Sequence, residues 1–182
     1  MKVTQTNTAL RVVGFLAVVF SLYHVTTNRL DYLRATNEAA RQGFISAEDR
    51  TRQLACLTKN IYHEAGFEPF EGKVAVAQVT MNRVADGKFG RDVCDVVYSK
   101  NVVYQKIICQ FSWTCDGKSA VKPIAAAHYR EAEEVAKKVL LEGFRLPSMR
   151  DAMYYHADYV NPRWGKPQIT KIGRHIFYRE SI

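Results

Sequence analysis

Glu64 is the residue whose setting best suits chemistry. It stands in Ile61-Tyr62-His63-Glu64-Ala65, where Leu54, Leu57, Ile61 and Ala65 recur at helical spacing. At 100° per residue Glu64 falls about 20° outside Leu57, at the edge of the apolar stripe rather than opposite it. A carboxyl held against apolar neighbours resists ionisation, so its pKa rises. Glycosidic cleavage needs such a group, a carboxylic acid still protonated near neutral pH that can protonate the departing oxygen. By residue type alone, Glu64 also fits an ordinary surface carboxylate or ion-pair partner.

The other candidates surround it in sequence or share its chemistry. Glu68 follows Gly66 and precedes Pro69, which interrupt the helix, and it stays open as a second carboxylate. Glu71 reads as favourable charge at the start of the next helix. Gln110-Phe111-Ser112-Trp113 offers an amide, a hydroxyl and two aromatic faces. Aromatic faces stack on pyranose rings while polar tips bind hydroxyls, although a core Trp/Phe pair would look the same. The candidate substrate contacts are Glu68, Gln110, Ser112, Trp113, Tyr155 and His156. The histidines, His24, His63, His128, His156 and His175, form no H-E-x-x-H. A zinc site from His63, His156 and His175 has no support in their spacing, so no metal is expected. Ser112 lacks a G-x-S-x-G setting, and neither a P-loop nor a G-x-G-x-x-G occurs, so no cofactor is expected either.

Four cysteines, Cys56, Cys94, Cys109 and Cys115, permit three full pairings. Cys109 and Cys115 could close a small loop, and Cys94 could pair with either. Without a C-x-x-C, the expectation is one disulfide in a domain outside the cytoplasm.

The elements that position these residues are mostly helical. Ser46-Ala47-Glu48-Asp49 fits a capped helix start, and the helix runs to about Ala65. A second, over roughly 70–85, is apolar around much of its circumference and should be a buried central helix. Residues 86–122 are mixed. Pro123 suits the first turn of a third helix carrying Ala125 through Leu141 and stopped by Gly143. The end is β-like: Met153 to His156 and Ile172 to Tyr178 are aromatic and β-branched, separated by the turn-prone stretch Asn161 to Pro167.

At 182 residues, with 47% hydrophobic and 24% charged residues, the chain has room for one globular domain and a short extension. The net charge of +8 favours an anionic partner, but no dense Lys/Arg block or nucleic-acid motif occurs, so nucleic acid is not expected. Residues 12–23 are uncharged and apolar and follow Lys2 and Arg11, the order of a secretory signal. No A-x-A-like cleavage site follows, so residues 1–25 are expected to be a signal anchor, with residues 9–25 in the inner membrane. Residues 26–45 would then be a tether, and residues 46–182 a catalytic domain outside the cytoplasm.

Together these segments resemble a known family. Tyr62-x-Glu64-Ala65-x-x-Glu68-Pro69-x-Glu71-Gly72-Lys73-Val74-Ala75-Val76-Ala77-Gln78-Val79-x-Met81-Asn82-Arg83 resembles the signature of the SleB-type cell wall hydrolases, the spore cortex-lytic enzyme family. So do Val93-Cys94-Asp95-Val96-Val97-Tyr98, Cys109-Gln110-Phe111-Ser112-Trp113 and Gly173-Arg174-His175-Ile176-Phe177-Tyr178, in the same order. The resemblance implies an α+β fold: a mostly helical lysozyme/lytic-transglycosylase-like domain with a small antiparallel sheet. It implies a monomer acting on peptidoglycan glycan strands as a lytic transglycosylase, with Glu64 as general acid/base and Glu68 as the motif's second glutamate. An N-acetylmuramoyl-L-alanine amidase and a non-catalytic wall-binding module are the alternatives. One departure stands out: where the family has Glu-Ala-Arg-Gly-Glu, this chain has Glu64-Ala65-Gly66-Phe67-Glu68. An anchored single-domain lysin suits a phage endolysin in the host periplasm and a bacterial wall-remodelling enzyme equally.

Overall fold

The computed structural model describes residues 16–31, 33, 46–119 and 123–181. The chain divides into two units, residues 1–46 and 47–182. In the first, residues 16–31 form an exposed helix, α1. No helix among the described residues is long and apolar enough to cross a membrane. Residues 1–15, where the expected anchor begins, and 34–45 of the expected tether lie outside the described residues.

The second unit is built on three long helices. Helix α2 spans Ala47–Ala65 and opens with Glu48 and Asp49, whose charges suit the positive end of the helix dipole. Helix α3, Phe70–Asp86, buries every residue from Gly72 to Thr80 and is the central helix that its pattern predicts. It ends at Gly87, whose φ of 76° lets its N–H reach back to the carbonyls of Arg83 and Val84. Helix α4 is the short Val93–Val97, capped by the Asp92 side chain on the Asp95 N–H. Helix α5, Ala126–Leu140, carries Ala132, Val135, Ala136 and Val139 at helical spacing onto α2 and α3. These helices enclose one cluster around Leu57, Ile61, Val74, Ala77, Val96 and Val139.

A second cluster, with Val76, Val79, Met149 and Phe177, joins the other side of α3 to an antiparallel sheet. Its strands are β3 (Tyr154–Ala157), β4 (Gln168–Ile172) and β5 (His175–Tyr178), in the order β3-β5-β4. Strands β1 (Lys100–Val103) and β2 (Lys106–Cys109) form a separate exposed hairpin, turned by Tyr104 and Gln105 at positive φ.

The sequence pattern differs from the structure in four places. Helix α5 begins at Ala126 after the extended Ala125, so Pro123, expected in its first turn, lies outside the helix. One strand is expected over 172–178, but Gly173, at φ 57°, turns the chain there and pairs Ile172 with His175. A left-handed residue cannot continue a strand, and the chain on its N-terminal side becomes β4. The mixed stretch 86–122 contains α4 and the β1–β2 hairpin, each too short for a periodic signal. The single expected disulfide is replaced by two, Cys56–Cys94 and Cys109–Cys115, which pair all four cysteines. Cys94 joins neither Cys109 nor Cys115, because α4 packs on α2 and sets it 5.3 Å, Cα to Cα, from Cys56.

Candidate active site

Glu64 lies in the last turn of α2, half-buried, and its carboxylate accepts a hydrogen bond of 3.0 Å from the Tyr155 hydroxyl. Burial raises the Glu64 pKa, and this outweighs the opposing effects of the Tyr155 hydrogen bond and the Arg83 charge. Burial, reinforced by the Glu64 charge, lifts the Tyr155 phenol well above its ordinary value. Tyr155 is therefore a neutral donor at any working pH. The result is a carboxyl that stays protonated to higher pH than usual, with its ionised form still solvated by one aimed hydroxyl.

Tyr155 reaches Glu64 because α3 holds the segment before β3. The Gln78 amide brackets Leu146, donating to its carbonyl at 3.2 Å and accepting from its N–H at 2.8 Å. The Asn82 amide donates to the carbonyls of Met149 and Ala152 at 2.9 and 2.8 Å. The Arg83 Nε donates to the Met153 carbonyl at 2.9 Å. Three polar side chains on one buried helix thus satisfy the backbone of 146–153 and fix where β3 begins. The buried Arg83 guanidinium lies 5.2 Å from the Phe89 ring centroid and 5.4 Å from that of Phe111. Gln78, Asn82 and Arg83 stand in the sequence signature, but nothing in their spacing there tells which backbone groups they meet.

Trp113 stands beside this end of α2. Its Nε1 donates to the Asn60 Oδ1 at 3.1 Å, and its ring stacks on His63 with centroids 4.3 Å apart. The Asn60 amide in turn donates to Thr80 at 3.1 Å, tying Trp113 to α3 through two buried polar groups. A cleft of about 410 Å³ opens here, lined by Lys59, His63, Tyr98, Trp113, Ile124 and Tyr129. It therefore runs past His63, the chain neighbour of Glu64. A larger cavity of about 720 Å³ lies between Phe70, Lys73 and α5, and Glu64 lines neither it nor the cleft at Trp113. Gln110 is half-buried and Ser112 exposed, both on the Cys109–Cys115 loop that carries Trp113.

The structure separates the remaining candidates. Glu68 is buried, and its carboxylate accepts from the Arg174 N–H at 2.9 Å. Its carbonyl accepts from the Lys73 ammonium at 2.7 Å, which also pairs with Glu131 at 3.0 Å. Glu68 therefore clamps the β4–β5 turn to the α2–α3 connection. His156 projects from the sheet face opposite to Tyr155, as neighbours on a strand must. Its Nε2 lies 2.9 Å from the Tyr178 hydroxyl. His175 is buried edge-on to Tyr155 at 5.2 Å, and burial lowers its pKa. Among the described residues no group of three or more His, Cys, Asp or Glu is placed to hold a metal ion. Phe67, at the departure from the family pattern, is 89% exposed and meets the His128 ring at 4.7 Å.

Two predictions arise from this geometry. Tyr155→Phe removes the donor to the Glu64 carboxylate, so the pKa of Glu64 rises further. The rate should fall about tenfold, the size of one hydrogen bond to a charged group, and the alkaline limb of the pH–rate profile, where Glu64 loses its proton, should move to higher pH. Gly173→Ala places a Cβ 1.9 Å from the Glu68 Oε2 at a φ of 57°. It should cost roughly 2–4 kcal/mol in urea unfolding, from backbone strain and the lost carboxylate contact.

Residues 67–178 match the family described as Cell Wall Hydrolase. Spore cortex-lytic enzyme of Bacillus subtilis (strain 168) is 30% identical over 128 residues, covering 68% of this chain and 36% of that protein. Its counterpart in Bacillus cereus (strain ATCC 14579) is 31% identical over 128 residues, covering 68% and 43%. The chain thus spans about two fifths of the length of these relatives. Among solved structures, the catalytic domain of the germination-specific lytic transglycosylase SleB from Bacillus anthracis aligns with a TM-score of 0.53 at 28% identity, covering 70% of this chain and 93% of that one. The catalytic domain of Bacillus cereus SleB gives 0.52 at 27%, covering 71% and 91%. Their likeness extends to the mostly helical α+β fold with its small sheet, and the chain belongs to the cell wall hydrolase family.

Proposed function

We propose that this protein cleaves the β-1,4 bond between N-acetylmuramic acid and N-acetylglucosamine in peptidoglycan, as a lytic transglycosylase with Glu64 as its acid and base. The observation that carries the reading is the half-buried Glu64 carboxyl, its pKa raised by burial and its oxygen held by Tyr155, one residue along α2 from the His63 wall of an aromatic-lined cleft. Glu64 protonates the glycosidic oxygen as the bond to the muramyl C1 breaks. The carboxylate left behind, stabilised by the Tyr155 hydroxyl, then takes the proton of the muramyl 6-hydroxyl while that oxygen closes onto C1. The product is a 1,6-anhydro ring, and Glu64 ends protonated as it began. One carboxyl suffices because the nucleophile belongs to the substrate, in contrast to two-carboxylate hydrolysis. The engagement of Glu68 with Arg174 supports this one-carboxyl scheme, since it commits the obvious second carboxylate to the scaffold.

The glycan strand would lie over His63 and Trp113, with Tyr98 and Tyr129 on the cleft walls. Gln110 and Ser112 share the Cys109–Cys115 loop with Trp113, and we assign them to sugar hydroxyls and acetamido groups. Peptidoglycan lies outside the cytoplasmic membrane, so this activity requires export. The basic–apolar order of residues 1–25 supports an inner-membrane anchor, a tether over 26–45 and a periplasmic catalytic domain over 46–182, acting as a monomer. A phage endolysin held at the membrane fits this organisation.

The test is mass spectrometry of purified peptidoglycan digested by the full chain beside a Glu64→Gln control. Anhydromuramyl ends, absent from the control, are expected. Reducing muramyl ends would replace transglycosylation by hydrolysis, and free stem peptides would mean an amidase.

A further inference from the structure

The sheet face turned away from Glu64 carries an aromatic group that the cleavage scheme does not use. Tyr154 and His156 alternate with the inward Tyr155 on β3, and Tyr178 faces Tyr154 across the β3–β5 ladder. Trp164, from the loop between β3 and β4, stands edge-on to all three. Its ring centroid lies 5.5 Å from that of His156, 6.0 Å from that of Tyr178 and 6.3 Å from that of Tyr154. His156 and Tyr178 stack on each other at 5.2 Å while sharing a hydrogen bond. The Tyr154 hydroxyl is held by Glu180, which also pairs with Lys166, and the Lys166 ammonium sits 4.0 Å from the Tyr154 ring centroid. The side chains beneath Trp164 are therefore fixed, yet Trp164 itself is 45% exposed. It is flanked by Arg163 at φ 49° and Gly165 at φ 63°. A non-glycine residue takes that conformation at a cost, so the loop accepts strain in order to hold this shape.

We infer that this outer face is a second glycan-binding surface, on which Trp164 stacks against a pyranose ring of the peptidoglycan strand at a distance from the scissile bond. β-1,4-linked amino sugars present flat C–H faces to an aromatic ring and polar groups at its rim. Here the rim supplies the Tyr178 hydroxyl, the His156 imidazole and the Lys166–Glu180 pair. Charge agrees: peptidoglycan stems bear carboxylates, and the exposed Arg163 is the chain neighbour of Trp164. Two separated contacts on one polymer raise the effective concentration of the strand at the cleft. This inference rests on the glycan reading above, but it can fail separately from it.

The experiment uses the full chain carrying Glu64→Gln, so that binding is read without turnover. In cosedimentation with purified sacculi, adding Trp164→Ala should weaken binding about tenfold, the loss of one aromatic anchor. Trp164→Phe should restore most of it. In the active chain, the loss caused by Trp164→Ala should grow with glycan length, large on long strands and small on a tetrasaccharide. Equal sedimentation of the Trp164→Ala and parent chains would overturn the inference. So would an equal loss on short and long glycans with no rescue by Phe, which would make Trp164 a fold element. Self-association of the parent chain in sedimentation velocity, abolished by Trp164→Ala, would overturn it in favour of a second copy on this face. If Trp164→Ala weakens sacculus binding while the products prove to be stem peptides, the surface stands and the transglycosylase reading falls.

Discussion

Glu64→Gln should lower glycan cleavage by about 10²–10⁴-fold, the usual contribution of a general acid, and should stabilise the fold at neutral pH. The amide keeps the shape of the carboxyl and still accepts from Tyr155, but it can neither give nor take a proton. The stability effect has a definite sign. Burial raises the folded pKa of Glu64 above its unfolded value, so the folded chain binds this proton more tightly than the unfolded one. The resulting stability is fully present below the ordinary glutamate pKa and is lost as pH rises through the raised, folded value. Glutamine has nothing to lose across that window. The difference in Tm between Glu64→Gln and the parent should therefore be smallest in acid, widen as pH rises and level off once Glu64 is ionised in both states. A difference that stayed flat with pH would mean that the carboxyl is not held against its ionisation. On the proposed role of Glu64, the same desolvation serves the chemistry and lowers stability at neutral pH, so the two effects should appear together in one variant.

The second large effect is on stability alone. Replacing Cys56 and Cys94 together by Ala should cost about 4 kcal/mol, from the loop entropy released across 38 residues of separation, and lower Tm by roughly 10–20 °C. This bond ties α2 to α4, the short helix that Arg52 also holds through Asp92 at 2.6 Å. The pair Cys109–Cys115 closes only a six-residue separation, so its removal should cost about 2 kcal/mol. Its activity cost should be disproportionate, because that loop carries Trp113 onto His63 and Asn60. Thermal unfolding of the two double variants, beside their rates on peptidoglycan, checks both. Equal stability losses, or a Cys109/Cys115 variant of full activity, would contradict this division of roles.

The three long helices were legible in the sequence because their signal is local. Leu57, Ile61 and Ala65 repeat every three or four residues on α2, as do Val74, Ala77 and Met81 on α3, and α5 stops near Gly143. The position of Glu64 at the edge of its apolar stripe follows from the same period, which is why it stood out before any tertiary contact was known. Cys109, Gln110, Ser112 and Trp113 were likewise visible as a chemically apt run. The sequence could also place Tyr155 and His156 together in an aromatic strand.

Which of these residues meet was decided only by the tertiary structure. Tyr155 reaches Glu64 across 91 residues, and Glu68 meets Arg174 across 106. Contacts of that separation leave no period in the chain, since they depend on how α3 docks the segment before β3. Gln78, Asn82 and Arg83 do that docking through backbone carbonyls and an N–H, groups that every residue possesses and that composition cannot single out. The one-residue pleat sends Tyr155 to the acid and His156 to the outer face, so two neighbours in sequence serve different surfaces. Cysteine pairing was open among three arrangements until α4 packed on α2. The amino-acid sequence by itself determined the helices, because short-range periodicity suffices for them, and left Glu64 open between an acid and a surface carboxylate until the family resemblance was weighed. The hydroxyl that steadies that acid, the carboxylate that only clamps a turn and the disulfides that hold the cleft wall came from packing, because each depends on surfaces brought together from distant parts of the chain.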